Sequence, residues 1–358
     1  MNREKSLKDL NVVIIGGGIG GFATAVALQN KGIKAHIYEQ ARALGEVGAG
    51  ITIHPSSQHL FEEWGLGEAF YEKAPINKTI EFFTPQGELV TDVIEAVLPG
   101  LEPDKPGSHR ASIHRAHLLD LLISPIDPEY IHIDHKFKSL IETDDYVELT
   151  FENDAVVRAD VVIAANGIHS NIRKIFSNDE PIYSGIHSVR TILSLEATKE
   201  TAKEDGTVMY RDDETVILMQ PVAGGMHFDI LYPSEDSSWV KDTTKEELLS
   251  KITSFDEKLV KLLDTIEYPI LSRALYCRQP IPQWSTKRIT LLGDAAHSML
   301  PTLGQGANSA IADADSIARA LSECATIEEA LQRYENERRP VTTAIQNDSQ
   351  QFDQLLNK

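Results

Sequence analysis

The chain has 358 residues, 42% of them apolar and 25% charged, which supports folded cores and excludes a disordered or collagenous chain. Lysine and arginine number 34 against 54 aspartates and glutamates, and the resulting formal charge of −20 argues against nucleic-acid and membrane-surface partners. Cys277 and Cys324 are far apart and lack metal-ligand spacing, which excludes a disulfide framework or zinc ribbon and fits a cytoplasmic protein.

In chain order, residues 11–15 end in Val12, Val13, Ile14 and Ile15 and predict a strand buried on both faces. Segment 12–28 carries no charge and imitates an export or membrane segment, but its glycines at 16, 17, 18, 20 and 21 break any continuous apolar helix. A helix over 22–31 closed by Gly32 and a strand over 34–39 complete a βαβ unit, the building block of a parallel sheet. A glycine-rich turn and a helix follow between 45 and 64, then a hairpin around Pro85-Gln86-Gly87 within 79–90. Leucines at 118, 119, 121 and 122 predict a helix over 115–123. Segments 146–151 and 155–157 read as a hairpin, and 160–165 returns to a buried strand.

Between about 180 and 280 the texture changes to short β-rich runs at 188–195, 207–210, 216–220 and 227–232, which predict a second, more antiparallel layer. A buried strand at 289–292 and helices over 308–321 and 327–356, the latter broken near Pro340, close the chain. The expected architecture is α/β. A discontinuous Rossmann-like domain spans 1–75, 100–180 and 281–358 and carries the C-terminal helices. A mainly antiparallel sheet domain over 76–99 and 181–280 is inserted into it.

Gly16, Gly18 and Gly21 satisfy G-x-G-x-x-G directly after a buried strand and at the opening of a helix, and Glu39 ends the next strand. The glycines allow a tight turn and close approach of a pyrophosphate to the helix N-terminus, and the carboxylate would accept from a ribose diol. A turn that merely packs tightly does not explain Glu39. NAD and FAD share the same ADP half, so this motif does not choose between them. At the other end, Gly293-Asp294 follows a buried strand, and Pro301, Gly304, Gly306, Ala307 and Asn308 form a second glycine turn opening a helix. Such a helix end suits the electron-rich pyrimidine side of a reduced flavin.

These blocks resemble the group A flavin monooxygenases, the aromatic hydroxylase family that includes para-hydroxybenzoate, salicylate and urate hydroxylases and the tetracycline-inactivating monooxygenases. Also matching are Gly48-Ala49-Gly50-Ile51 with Pro55, Arg115 on its leucine-rich helix, and Asn166-Gly167 through Ser170 and Arg173. The family usually has Asp-Gly at 166–167; the amide keeps the hydrogen bonds and loses the charge. The tetracycline-inactivating branch shares that Asn166 and the closing residues 354–357, whereas 45–53 reads like the salicylate and urate hydroxylases.

The resemblance implies that FAD is held at its ADP part by Gly16, Gly18, Gly21 and Glu39, with Arg42 beside them. Arg115 and Asp294 would serve the pyrophosphate and ribityl region. Gly50, Ile51, Asn166, Gly167, Pro301, Gly304, Gly306, Ala307 and Asn308 would surround the flavin. NADH or NADPH would reduce FAD transiently, O₂ would add, and a flavin C4a-hydroperoxide would hydroxylate a small aromatic or polycyclic phenol. The alternatives are a flavin dehydrogenase or reductase without oxygen insertion and a non-catalytic flavin sensor. The quaternary expectation is a monomer or homodimer.

On the substrate side, Arg190 falls where relatives carry a polar residue facing the active site and would clamp a carboxylate or phenolate; the alternative is a structural salt bridge. His227 would orient or deprotonate a phenol, or else be a satisfied sheet histidine. Tyr210 is a third candidate, against core packing. The pairs His114/His117 and His132/His135 have no convergent acidic or thiol ligands, so no metal is expected.

Overall fold

The computed structural model describes residues 10–45, 49–90, 109–301 and 304–356, with side chains as far as residue 350. Gly48 and Asn357, both named above, lie outside the described residues.

Burial organises the first sheet. Val12–Ile15 and Val161–Ala164 are buried at every position and pair in parallel, Ile14 opposite Ile163. The sheet has five strands in the order Ile289–Leu291, Val161–Ala164, Val12–Ile15, Ala35–Tyr38, Ile131–His132, all parallel. Its strands come from both ends of the chain. The helices Ile19–Asn30 and Gly306–Glu323 also pack together, closely enough that a Cβ on Gly20 would stand 3.4 Å from that of Ala310. A hairpin sheet of Phe137–Glu142, Val147–Phe151 and Val156–Ala159 and a small sheet of Gly50–Ile53, Arg110–His114 and Ile76–Asn77 complete this half.

The second half is a seven-stranded sheet ordered Val240–Thr243, Ile270–Cys277, Ile182–Leu193, Gly225–Pro233, Val216–Val222, Gly206–Arg211, Thr79–Phe83. Every pairing is antiparallel except the last, where Gly206–Arg211 runs parallel to Thr79–Phe83. One face carries Ile217, Met219, Phe228 and Ile230 into a core shared with Leu248 and Leu259 of the helices Lys245–Lys251 and Glu257–Leu262. This core is separate from the cluster around the parallel sheet.

Arg173 joins the halves. Its side chain is 1% exposed, and its guanidinium donates to Asp179 and to the carbonyls of Gln279, Ala295 and Ala296. Arg278 binds the same carboxylate.

The helix Ile327–Leu356 runs through Pro340 without the break expected there. Proline removes one N–H, and the carbonyl four residues earlier belongs to Asn336; both residues are exposed, so the freed acceptor is open to solvent. Among the described residues no helix is long and apolar enough to cross a membrane.

Candidate active site

The turn after Val12–Ile15 is forced by close contact. Gly16 has φ 110°, and a Cβ there would stand 2.4 Å from the Ala165 carbonyl oxygen. A Cβ on Gly21 would stand 1.9 Å from the Gly16 oxygen. Gly18 behaves differently: nothing lies within 4 Å of its missing Cβ, so its backbone borders open space. It caps helix Ile19–Asn30 without a side-chain hydrogen bond, and no acidic residue stands in the first turn. The N–H groups of that turn thus face the space as an anion site. Glu39 braces the turn, its Oε2 accepting from Gly17 N at 2.6 Å and its Oε1 from Ala41 N at 2.8 Å. Lone pairs remain on both oxygens for a diol.

The C-terminal blocks meet this turn across one cavity of about 510 Å³, lined by Gly18, Arg115, Gly167, Asp294, Pro301 and Gly306 among others. Helix Gly306–Glu323 likewise has no side-chain cap and no acid in its first turn, and among the described residues no atom beyond its chain neighbours and its own helix backbone lies within 4 Å of the position a Gly306 Cβ would take. Asp294 is open to the cavity yet surrounded by protein. Burial raises its pKa, and His297 and Arg115 act against the rise. Burial in turn lowers the pKa of Arg115, with Asp294 opposing.

Behind Asp294 lies a buried network that sequence reading missed. Asp313 accepts from His297 at 2.5 Å, from Arg338 at 2.7 Å and from Gly293 N at 3.1 Å. The spacing of Asp313 on its helix carried no motif that would have revealed it. Asn308 spends its side chain on the backbone: Oδ1 accepts from His54 N, and Nδ2 donates to Thr52 and Gly304 oxygens. It locks strand Gly50–Ile53 to the second glycine turn, so Gly50 and Ile51 also line the cavity. Asn166 is half-buried beside the turn, and its Oδ1 is buried without a hydrogen-bond partner among the described residues.

The seven-stranded sheet roofs the cavity. Strand alternation puts Thr207, Met209, Leu218, Gln220, His227 and Asp229 on the cavity side and Val208, Ile217, Met219 and Phe228 in the second core. The same alternation places Tyr210 away from the cavity. Its hydroxyl donates to Thr201 O at 2.8 Å and its ring stacks on Phe83 at 5.0 Å, so the alternative of core packing describes its location. Arg42, three residues after Glu39, does not line the cavity; its side chain is 89% exposed and pairs with Asp134 at the surface. Arg190 reaches the cavity, but its Nε donates to Asp229 at 2.8 Å, and Ser188 Oγ donates to the other oxygen. Asp229 was legible as a polar position in the alternating run Met226-His227-Phe228-Asp229-Ile230 and was passed over.

His227 is buried at 2% exposure, and its Cβ would be 2.8 Å from a Cβ on Gly50. Burial pushes its pKa down to about 4, with the Asp229 charge opposing, so the ring is neutral at neutral pH. Its Nδ1 has no hydrogen-bond partner among the described residues.

Two uncapped helix ends, a bracing glutamate and an extended trough ending beneath an antiparallel roof suit an adenine dinucleotide whose reactive ring meets a substrate under that roof. This is the layout of a flavin-dependent oxygenase. The chain belongs to the FAD binding domain family, whose pattern matches residues 9–349. It is 30% identical over 336 residues to the 3-amino-4-hydroxybenzoate 2-monooxygenase PtnB3 of Streptomyces platensis, covering 92% of this chain and 84% of that one. It is 28% identical over 352 residues to the 3-hydroxybenzoate 6-hydroxylase of Klebsiella oxytoca, covering 94% and 86%. In fold it matches the crystal structure of Klebsiella pneumoniae HpxO complexed with FAD and uric acid, with a TM-score of 0.88 at 21% identity, covering 100% of this chain and 91% of that one. The protein is therefore a FAD-dependent monooxygenase, and the dehydrogenase and sensor readings are not favoured.

Asp294→Ala is expected to lower retained FAD at least about tenfold, the scale of a lost hydrogen bond to a charged group. Flavin absorbance of the purified variant checks this, and stoichiometric FAD would remove Asp294 from the coenzyme site.

Proposed function

We propose that this monooxygenase hydroxylates a small phenolic ring seated between strand Gly50–Ile53 and the roof residues His227, Gln220 and Met209. The observation that carries the reading is the neutral, buried imidazole of His227, packed against Gly50 with an unpartnered Nδ1. Bound FAD supplies the electrons taken from NADH or NADPH and the activated oxygen. The chain's own residues do the rest. Gly16, Gly18 and Gly21 with Glu39 hold the ADP half, and Arg115 and Asp294 the middle. The Gly304–Gly306 turn, Ala307 and Pro301 support the ring. Residues 76–99 and 181–280 form the covering unit in this reading; 91–99 lie outside the described residues.

His227 accepts the phenol proton at Nδ1 as the ring carbon becomes more electron-rich. Arg190, tethered by Asp229, donates its remaining N–H groups to the phenolic oxygen. The roof and the neutral side chains around it exclude water from the reacting carbon.

The test is FAD-loaded protein assayed with 3-hydroxybenzoate, 3-amino-4-hydroxybenzoate and salicylate under NADH and NADPH, following oxygen uptake and a product heavier by one oxygen. Peroxide release without product across that panel would remove the hydroxybenzoate reading. His227→Asn is expected to lower kcat about 100-fold. The acceptor form of His227 exists above its pKa of about 4, so the wild-type rate should fall as pH drops through that value, and the variant should lose this limb.

A further inference from the structure

Three arginines and two aspartates line the cavity of a chain whose formal charge is −20. Arg190 is bonded to Asp229, and Arg115 stands within electrostatic reach of Asp294. Arg110 has no ion pair and no side-chain hydrogen bond among the described residues; burial alone acts on it, lowering its pKa, with no carboxylate opposing. His54, which burial and then Arg110 push down to about 4, is neutral and brings no counter-charge. A desolvated cation without a partner is costly, and such groups mark places where a ligand supplies the missing charge.

Its place in the fold points the same way. Arg110 opens strand Arg110–His114, and Arg115 follows the other end, roughly 16 Å away along extended chain. Ala111 and Ile113 are fully buried in the core, so Arg110 shares the opposite face with Ser112 and His114. Ser112 accepts from Asn77, which also donates to Thr207 of the roof, so this face looks toward the covering sheet. Ile80, Phe82, Met209 and Leu218 give the cavity an apolar wall on that side.

We propose that Arg110 is the anchor for an anionic oxygen group on the substrate, a carboxylate above all, held at the end of the cavity remote from Arg115 and Asp294. The proposal rests on the aromatic-hydroxylase reading and deepens it. The guanidinium fork matches a planar carboxylate in two parallel hydrogen bonds. Sequence pointed to Arg190 for this role, but Asp229 already neutralises that residue, and Arg110 holds the uncompensated charge.

The FAD-loaded protein is titrated with 3-hydroxybenzoate, 4-hydroxybenzoate and salicylate and with the three matching carboxamides, binding being read from the change in flavin absorbance. At least one acid is expected to bind about tenfold more tightly than its amide. R110M is expected to lose that preference while keeping its FAD. Equal binding of acids and amides, failure of every acid to bind, or a preference that persists in R110M would each overturn the proposal. Should R110M not fold, R110K replaces it, with the preference expected to weaken, and the acid–amide comparison on the unaltered protein stands regardless. NAD(P)H-dependent oxygen uptake on the same preparation tests the hydroxylase reading separately. An intact acid preference without uptake would overturn that reading and leave the anchor. Uptake without the preference would do the reverse.

Discussion

Gly21→Ala is expected to yield protein purified without flavin, with FAD affinity lowered at least about 100-fold. The new methyl would stand 1.9 Å from the Gly16 carbonyl oxygen, and backbone cannot yield as a flexible side chain can. Gly16 is itself pinned, because its own Cβ position is 2.4 Å from the Ala165 oxygen. The clash is therefore relieved by lifting the first turn of helix Ile19–Asn30 away from strand Val12–Ile15, which spoils the aim of the N–H groups at the coenzyme phosphates. Fluorescence titration of the apo variant with FAD measures the effect. A wild-type Kd would show that the helix tolerates the shift and that the turn's geometry is not what holds the coenzyme.

Arg173→Met is expected to destabilise the fold by about 3–5 kcal/mol, the cost of breaking a buried ion pair by removing one partner. The change strands the carbonyls of Gln279, Ala295 and Ala296 and leaves Asp179 with Arg278 as its remaining ion-pair partner among the described residues. Those carbonyls belong to the turn that follows Asp294 and to the link into the roof sheet, so loosening should reach both halves. Urea denaturation measures the loss, and a shift under about 1 kcal/mol would mean that water replaces the guanidinium without penalty.

The sheet that holds the coenzyme was legible because its strands are buried on both faces. Val12–Ile15 and Val161–Ala164 are continuous apolar runs, and Ile289–Leu291, interrupted only by Thr290, is buried at every position. The glycine turns were legible because glycine is the residue that adopts positive φ at least cost, as at Gly16 with φ 110° and Gly304 with φ 62°. The roof was harder. Gly206–Arg211 has apolar side chains on both faces, one for a core and one for the cavity, so composition gives no parity and Tyr210 stayed open between the two. Pairing was invisible for the same reason that contacts between distant segments always are. Nothing local to Arg190 announces Asp229, and nothing local to Arg110 announces that it pairs with no acid among the described residues. Pro340 signalled a break that solvent exposure makes unnecessary.

The roof sheet separates two duties by residue parity. Thr207, Met209, Leu218 and Gln220 look onto the cavity, while their immediate neighbours Val208, Ile217 and Met219 bolt the sheet to its own helices. Selectivity and foldedness are thus written on opposite sides of one layer, in alternate letters. Evolution, or an engineer with a small combinatorial library, is free to retune which aromatic compound this catalyst accepts without unfastening the scaffold.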